Sequence, residues 1–333
     1  MSSDRFLLVG LGSIGKRHLS NLRKIRPRAF IIVLRSTILV TKETKIPLGA
    51  DVIVGTIEEA LLFSPRMAII ASPSNFHIDV AKSLAEHGIH LMIEKPISNN
   101  LNGVEELISY CENEKLILLT AYNFRFSRIA RKFDELLQSG IIGKVVHVIV
   151  DTGQYLPDWR PGSDYKKGVS ARAELGGGAV LELSHEIDYI RWFFGEVDTV
   201  FAKIKNSNLL EIDVEDSVDA LLAMKTGVSI NLHMDFLQRS PNRVCKVIGS
   251  KGTLIWDVIR QCIFLVDEKG ERICLENRKD DDKNDMYLKE LEHFIECVEL
   301  DVSPFISGRD GLETLNIALA MKNSSANCEP VSL

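Results

Sequence analysis

FLLVGLGSIGKRHLSNLRKI, residues 6–25, decides the fold. An unbroken apolar run reads as a strand buried on both faces, and the residues after the glycines have helical apolar spacing. Gly10, Gly12 and Gly15 form the pattern GxGxxG between that strand and that helix. Gly10 permits the tight turn, Gly12 lets a pyrophosphate approach the backbone, and Gly15 allows close helix–strand contact. The phosphates would sit at the helix N-terminus, over Ser13 and Ile14, where unbonded N–H groups and the helix dipole favour anions. The competing reading is an ordinary βα turn, and the pattern of the next hundred residues argues against it.

Downstream, short apolar runs recur: FIIVL at 30–34, DVIVG at 51–55, MAIIA at 67–71, HLMIE at 90–94 and LILLT at 116–120. Helical spacing lies between them in HIDVAKSLAEHG (77–88) and LNGVEELISYCENE (101–114). Strands alternating with helices predict a parallel βαβ sheet, whose ligands bind beyond the carboxyl ends of the strands. The unusual polar residues collect at those ends. SPSNFH offers Ser72, Asn75 and His77 to a dinucleotide, or else a serine cap for the next helix. LMIEKPIS (91–98) ends a buried strand with Glu94, Lys95 and Pro96. An ammonium group there is costly unless it is paired or used, so Lys95 is a candidate functional group. AYNFRF adds Arg125 as a candidate cofactor contact. The second strand ends in Arg35 and Ser36, with no acidic residue until Glu43. An acid at that place binds the ribose hydroxyls of NAD, whereas a guanidinium can pair with the 2′-phosphate of NADP. The residues favour NADP and leave NAD open, because Arg35 could instead stack on adenine.

From about residue 121 the pattern changes. IARKFDELLQSG (129–140) predicts a helix and GKVVHVIVDTG a strand, followed by a long polar stretch, QYLPDWRPGSDYKKGVSARAELGGG. Residues 179–195 predict one helix. Six strand-like runs come next, with hairpin-type turns at KTG and EKG, and two helices over roughly 284–300 and 309–325 close the chain. Strands without intervening helices predict a mostly antiparallel sheet in an α+β domain. The expected domains are therefore 1–121, an α/β dinucleotide-binding domain of Rossmann type, and 122–333, an α+β substrate and oligomerisation domain. The last helix is expected to pack back on the first domain. On helix 179–195, Glu182, His185 and Asp188 are three apart and would share a face. A glycine run, 176–178, precedes them and allows close approach of a ligand or of a neighbouring segment. His185 reads as a catalytic group, or as a core histidine satisfied by Asp188. Trp159, Arg160, Asp164 and Tyr165 are candidate substrate contacts, and a loop packing on its own domain would explain them equally well.

The chain has 333 residues, 45% hydrophobic and 26% charged, enough for two domains with substantial cores. Its net charge of −6 excludes the electrostatic footprint of a nucleic-acid binder. No apolar run is long enough to span a bilayer, so no membrane partner is expected. The N-terminus lacks a basic n-region, and the six scattered cysteines form no CxxC pair; reduced thiols in the cytoplasm and no metal site are expected.

Together GLGSIGKRH, IIASPSNFH, AEHGIHLMIEKPIS, NFRF, SGIIGKV, the GGG…SHEID helix, IGSKGTL and ALAMKNSSANCEPV resemble the Gfo/Idh/MocA oxidoreductase family, in order and from end to end. The resemblance implies hydride transfer between NAD or NADP and a carbinol or keto carbon of a sugar or nucleotide sugar, with an open C-terminal sheet supporting a homodimer or homotetramer. It implies that Lys95 contacts the reacting hydroxyl, that the Lys95–Pro96 bond is cis, and that His185 carries the proton. An acidic partner stands at Glu182, three residues before His185, where the family has an aspartate four before. QYLPDWRPGSDY with LSHEIDYIRW is similar to a subgroup tied to bacterial surface-sugar biosynthesis. A dinucleotide-binding sensor without turnover is the alternative from another class.

Overall fold

The computed structural model describes residues 4–35 and 44–333. In chain order the first elements are β1 (Arg5–Val9), α1 (Ser13–Ile25), β2 (Phe30–Leu34), β3 (Val52–Val54), α2 (Ile57–Leu61), β4 (Met67–Ile70), α3 (His77–Ala85), β5 (His90–Glu94), α4 (Val104–Asn113) and β6 (Leu118–Ala121). Then come α5 (Arg128–Gln138), β7 (Val145–Gly153), α6 (Ala179–Glu182), α7 (His185–Phe194), β8 (Val197–Lys205), β9 (Ser217–Met224), β10 (Ser229–Asp235) and β11 (Asn242–Gly249). The chain closes with β12 (Gly252–Asp257), β13 (Cys262–Val266), β14 (Arg272–Asn277), α8 (Asp285–Leu300), α9 (Gly308–Asn327) and β15 (Val331–Ser332). Among the described residues, no helix is long and apolar enough to cross a membrane.

The first compact unit holds the chain to Asn123 together with Asn284–Glu313. Its sheet is parallel, in the order β3-β2-β1-β4-β5-β6. Chain direction through the sheet reverses between β1 and β4, so the ends of these two strands flank the crevice where such sheets take ligands. The strands are apolar because helices cover them. Phe6, Leu8, Ile31, Val33 and Ile69 form one core cluster with Leu19 and Leu22 of α1.

That cluster also contains Leu291, Phe294, Ile295 and Val298 of α8. The expected single break at 121/122 is therefore corrected to an excursion, in which the chain leaves after Asn123 and returns at Asn284. The cause is the apolar stripe of α8, which completes a face that α1 leaves open. The penultimate helix belongs to this unit, and so does the start of the last one, α9, up to Glu313.

The second unit, Phe124–Lys283 with Thr314–Leu333, is built on a nine-stranded sheet ordered β14-β13-β12-β11-β7-β10-β9-β8-β15. Neighbours pair antiparallel except β7 and β10, which run parallel. Val218, Ala220, Leu222 and Met224 of β9 are buried, while Asp219 and Leu221 between them are exposed, so one face is a core and the other meets solvent. β14 and β15 have no counterpart among the predicted strands. The predicted helix 179–195 is two helices, broken at Leu183 and Ser184.

Candidate active site

At the start of α1 the three glycines divide as their spacing predicts. Gly10 has φ +89°, and a Cβ on it would lie 2.8 Å from the Ala71 carbonyl oxygen. A Cβ on Gly15 would collide with the carbonyl oxygen of Gly10. Gly12 differs from both: a Cβ there meets no protein atom within 4 Å. The helix beginning after Gly12 has no side-chain cap and no acidic residue in its first turn. Its leading N–H groups and the free space above Gly12 form a cradle that fits a diphosphate. Beyond β4, buried Ser72 Oγ, Ser74 Oγ and Asn75 Oδ1 have no hydrogen-bonding partner among the described residues. Buried polar atoms of that kind are rare unless a ligand or water serves them.

Arg35 follows β2, its N–H donating to Val54 O while Gly10 N–H donates to Leu34 O beside it. Ser36 and Glu43 lie outside the described residues. His77 is committed to the backbone: Nε2 is 2.8 Å from Ser72 O and Nδ1 3.1 Å from Pro96 O. Burial pushes its pKa down, against those two carbonyls. The ring thus ties the turn after β4 to the turn after β5. That second turn contains the cis Lys95–Pro96 bond. Just before it, buried Glu94 accepts from His18 Nε2 at 2.6 Å and from the Lys95 N–H at 3.2 Å.

In the second unit α7 carries the predicted histidine. Its apolar residues anchor it: Phe193 packs on Phe133 at 5.4 Å and Tyr189 on Trp256 at 5.3 Å between ring centroids. His185 stacks on Phe124, centroids 4.8 Å apart and planes at 25°. The guanidinium of Arg243 lies over the same phenyl ring at 4.4 Å. Arg243 is held by the fully buried Glu186 through contacts of 2.6 and 2.8 Å, and Glu186 also accepts from Thr152 Oγ1 at 3.1 Å. Asp188 grips Arg125 through both oxygens, the shortest contact being 2.8 Å. Arg125, expected as a cofactor contact, therefore has its guanidinium on a buried carboxylate. Glu182 ends α6 and His185 begins α7, so the two stand on separate helices and not on the one expected.

The glycine run approaches a neighbouring segment. A Cβ on Gly177 would strike Val169 O, and one on Gly178 would strike the carboxylate of Glu215. Glu215 accepts from Val180 N–H at 3.3 Å at the start of α6 and pairs with Lys322 at 3.0 Å. Three of the four candidate substrate contacts also bond within the protein, two of them inside their own loop and Tyr165 to the β8–β9 connection. Trp159 donates to Gln154 O at 3.1 Å, Asp164 accepts from Lys166 N–H at 3.1 Å, and Tyr165 donates to Leu210 O at 3.0 Å. The exposed Arg160 side chain is the fourth. Loops after the parallel strands β7 and β10 add a pair not foreseen, Arg239 stacked 3.6 Å over Tyr155. Sequence reasoning also passed over His18, Phe124, Glu186 and Arg243. The helical position of His18, three residues after Gly15 in GLGSIGKRH, was the one available signal.

Two family models match the chain. One, described as the oxidoreductase family with an NAD-binding Rossmann fold, covers residues 5–122; the other, the GFO/IDH/MocA C-terminal domain, covers residues 130–255. Myo-inositol 2-dehydrogenase of Thermotoga maritima is 28% identical over 351 residues, spanning 99% of this chain and 98% of that protein. A crystal structure of a probable dehydrogenase from Thermotoga maritima is 27% identical, with TM-score 0.78 and 98% of each chain covered. The WlbA dehydrogenase of Bordetella pertussis, solved with NADH and UDP-GlcNAcA, has TM-score 0.82 at 22% identity over 99% of each chain, a likeness of fold.

Proposed function

This chain belongs to the GFO/IDH/MocA family of oxidoreductases, and from that premise we propose how its own residues carry out the reaction. It is a nicotinamide-dependent dehydrogenase or reductase acting on the CH–OH group of a sugar-type substrate. The observation that carries the reading is the open, uncapped cradle above Gly12, next to the turn that bears Lys95.

The backbone of Gly12, Ser13 and Ile14 would hold the pyrophosphate, with Ser72 and Asn75 offering their unpartnered oxygens to the remainder of the dinucleotide. When bound, that group supplies the hydride acceptor or donor. Lys95 hydrogen-bonds the reacting oxygen and stabilises it as alkoxide character develops. The His185 ring takes the hydroxyl proton in oxidation and returns it in reduction. Phe124 supports that ring by stacking, with the fixed Arg243 against the same phenyl group, and Glu182 is the acidic group nearest in sequence before it.

NADP is preferred over NAD in this reading, because Arg35 ends β2 where an acid would select NAD. The substrate is a sugar or a nucleotide sugar, the latter class in keeping with the UDP-GlcNAcA bound to the WlbA dehydrogenase. The stretch QYLPDWRPGSDY supports a role in bacterial surface-polysaccharide synthesis. Six free cysteines support a reducing, cytoplasmic setting. A homodimer or homotetramer is supported by the solvent face of the second sheet, where Phe201, Leu221, Asn231 and Ile149 lie in register across four strands and are all exposed. A monomeric sedimentation mass at micromolar concentration would remove that part.

The test is a panel of myo-inositol, aldoses and UDP-sugars, uronic acids included, read at the nicotinamide absorbance with both cofactors. Turnover of at least one member is expected; saturable dinucleotide binding without any turnover would leave a sensor. Tighter binding of NADPH than NADH, with the difference lost in Arg35→Ala, is the expected cofactor result. Equal or tighter NADH binding in the wild type refutes the preference.

A further inference from the structure

Glu94 is a buried carboxylate whose two oxygens have different partners. Oε1 meets His18 Nε2 at 2.6 Å, and Oε2 accepts the backbone N–H of Lys95 at 3.2 Å. A carboxylate only accepts, so the proton between the first two atoms belongs to His18. That contact has the length of a charge-assisted bond, and both side chains lie in the interior of the first unit. His18 stands on α1, the helix whose first turn forms the phosphate cradle. His77 Nδ1 lies 3.1 Å from the carbonyl oxygen of Pro96 in the same turn, and Arg17 of α1 stacks on Tyr287 of α8 at 4.3 Å. Whatever is held at the start of α1 and whatever is held by Lys95 are thereby referred to one rigid frame.

We propose that His18 and Glu94 are positioning residues for Lys95, fixing the backbone of its turn to the phosphate-binding helix. The proposal rests on the role given to Lys95 above. Its physical content is that misplacing a reacting group by about 1 Å can cost on the order of 100-fold in rate. Glu94 without its histidine would lose the partner that holds Oε1 and could swing toward water, releasing the Lys95 N–H.

The test compares His18→Leu, His18→Gln and Glu94→Gln in the full-length protein. In His18→Leu, kcat for the fastest panel sugar is expected to fall roughly 30- to 100-fold while the NADPH dissociation constant stays within about twofold. Amide hydrogen exchange, which needs no substrate, should quicken in residues 91–98 and not across the rest of the sheet. His18→Gln, whose amide nitrogen reaches the Nε2 position, should recover most of the rate; Glu94→Gln should show the same split should His18→Leu fail to fold. Unchanged kcat, a loss carried entirely by NADPH affinity, or exchange quickened throughout the unit would each overturn the proposal. Full activity in Lys95→Met strikes the functional reading instead; an inactive Lys95→Met beside a fully active His18→Leu strikes only this one.

Discussion

Lys95 and His185 carry different proposed roles, and substitution separates them. Lys95→Met removes the donor to the developing alkoxide, so kcat should fall by about two to three orders of magnitude with dinucleotide affinity nearly unchanged. His185→Asn removes the titrating group; the limb of the kcat/KM profile near histidine's range should flatten along with a slower reaction. A Lys95→Met enzyme near normal turnover, or a pH profile unmoved in His185→Asn, would return that residue to a structural role. Legibility at this scale followed backbone demand. Gly10 and Gly15 were readable because a Cβ at either meets backbone atoms, and Lys95 because a charge ended a buried strand. His18, Glu186 and Arg243 were not, because each is a lone polar residue whose meaning lies in a partner as far as 76 residues away. Trp159, Asp164 and Tyr165 were ambiguous for another reason: a polar, aromatic loop looks the same whether it faces a ligand or the protein.

Among the elements, the first turn of α1 separates binding from stability. Gly12 has φ −68° and open space around a Cβ, so Gly12→Val should leave the melting temperature almost unchanged while weakening dinucleotide binding at least about tenfold, through occupancy of the cradle. Gly15→Ala should do the reverse first, destabilising the unit by about 1–3 kcal/mol because the methyl meets a carbonyl oxygen. Equal melting temperatures for both variants would contradict this division. On β10, the hydrogen bond with Asp235 raises the His233 pKa against its partial burial, to about 9, with Asp219 adding to the effect. A folded-state value above the ordinary 6.5 means that its stabilisation is complete below pH 6.5 and disappears as pH rises through about 9. The melting temperature should decline across that window, and the decline should be shallower in His233→Asn. Strands and helices of the first unit were readable from period alone. The break at Leu183 was not, since α6 is a separate short helix whose start is held by Glu215, 35 residues along the chain. β14 and β15 are edge strands with little burial to mark them.

At the scale of the whole molecule, the two classes of sheet were legible and the route of the chain between them was not. Alternating and non-alternating hydrophobic patterns report how a strand is covered, but nothing in α8 announces which sheet its apolar stripe will cover. The first unit is consequently finished by residues that the ribosome adds some 160 positions after leaving it. Until Val298 has emerged, Leu19 and Leu22 lack the residues that close over them, and the nascent parallel sheet carries an open apolar flank. The second unit is finished later still, because Thr314–Leu333 belong to it. Nucleotide capture is thereby deferred to the end of synthesis, and a chain truncated before α8 is an aggregation hazard rather than a partial enzyme.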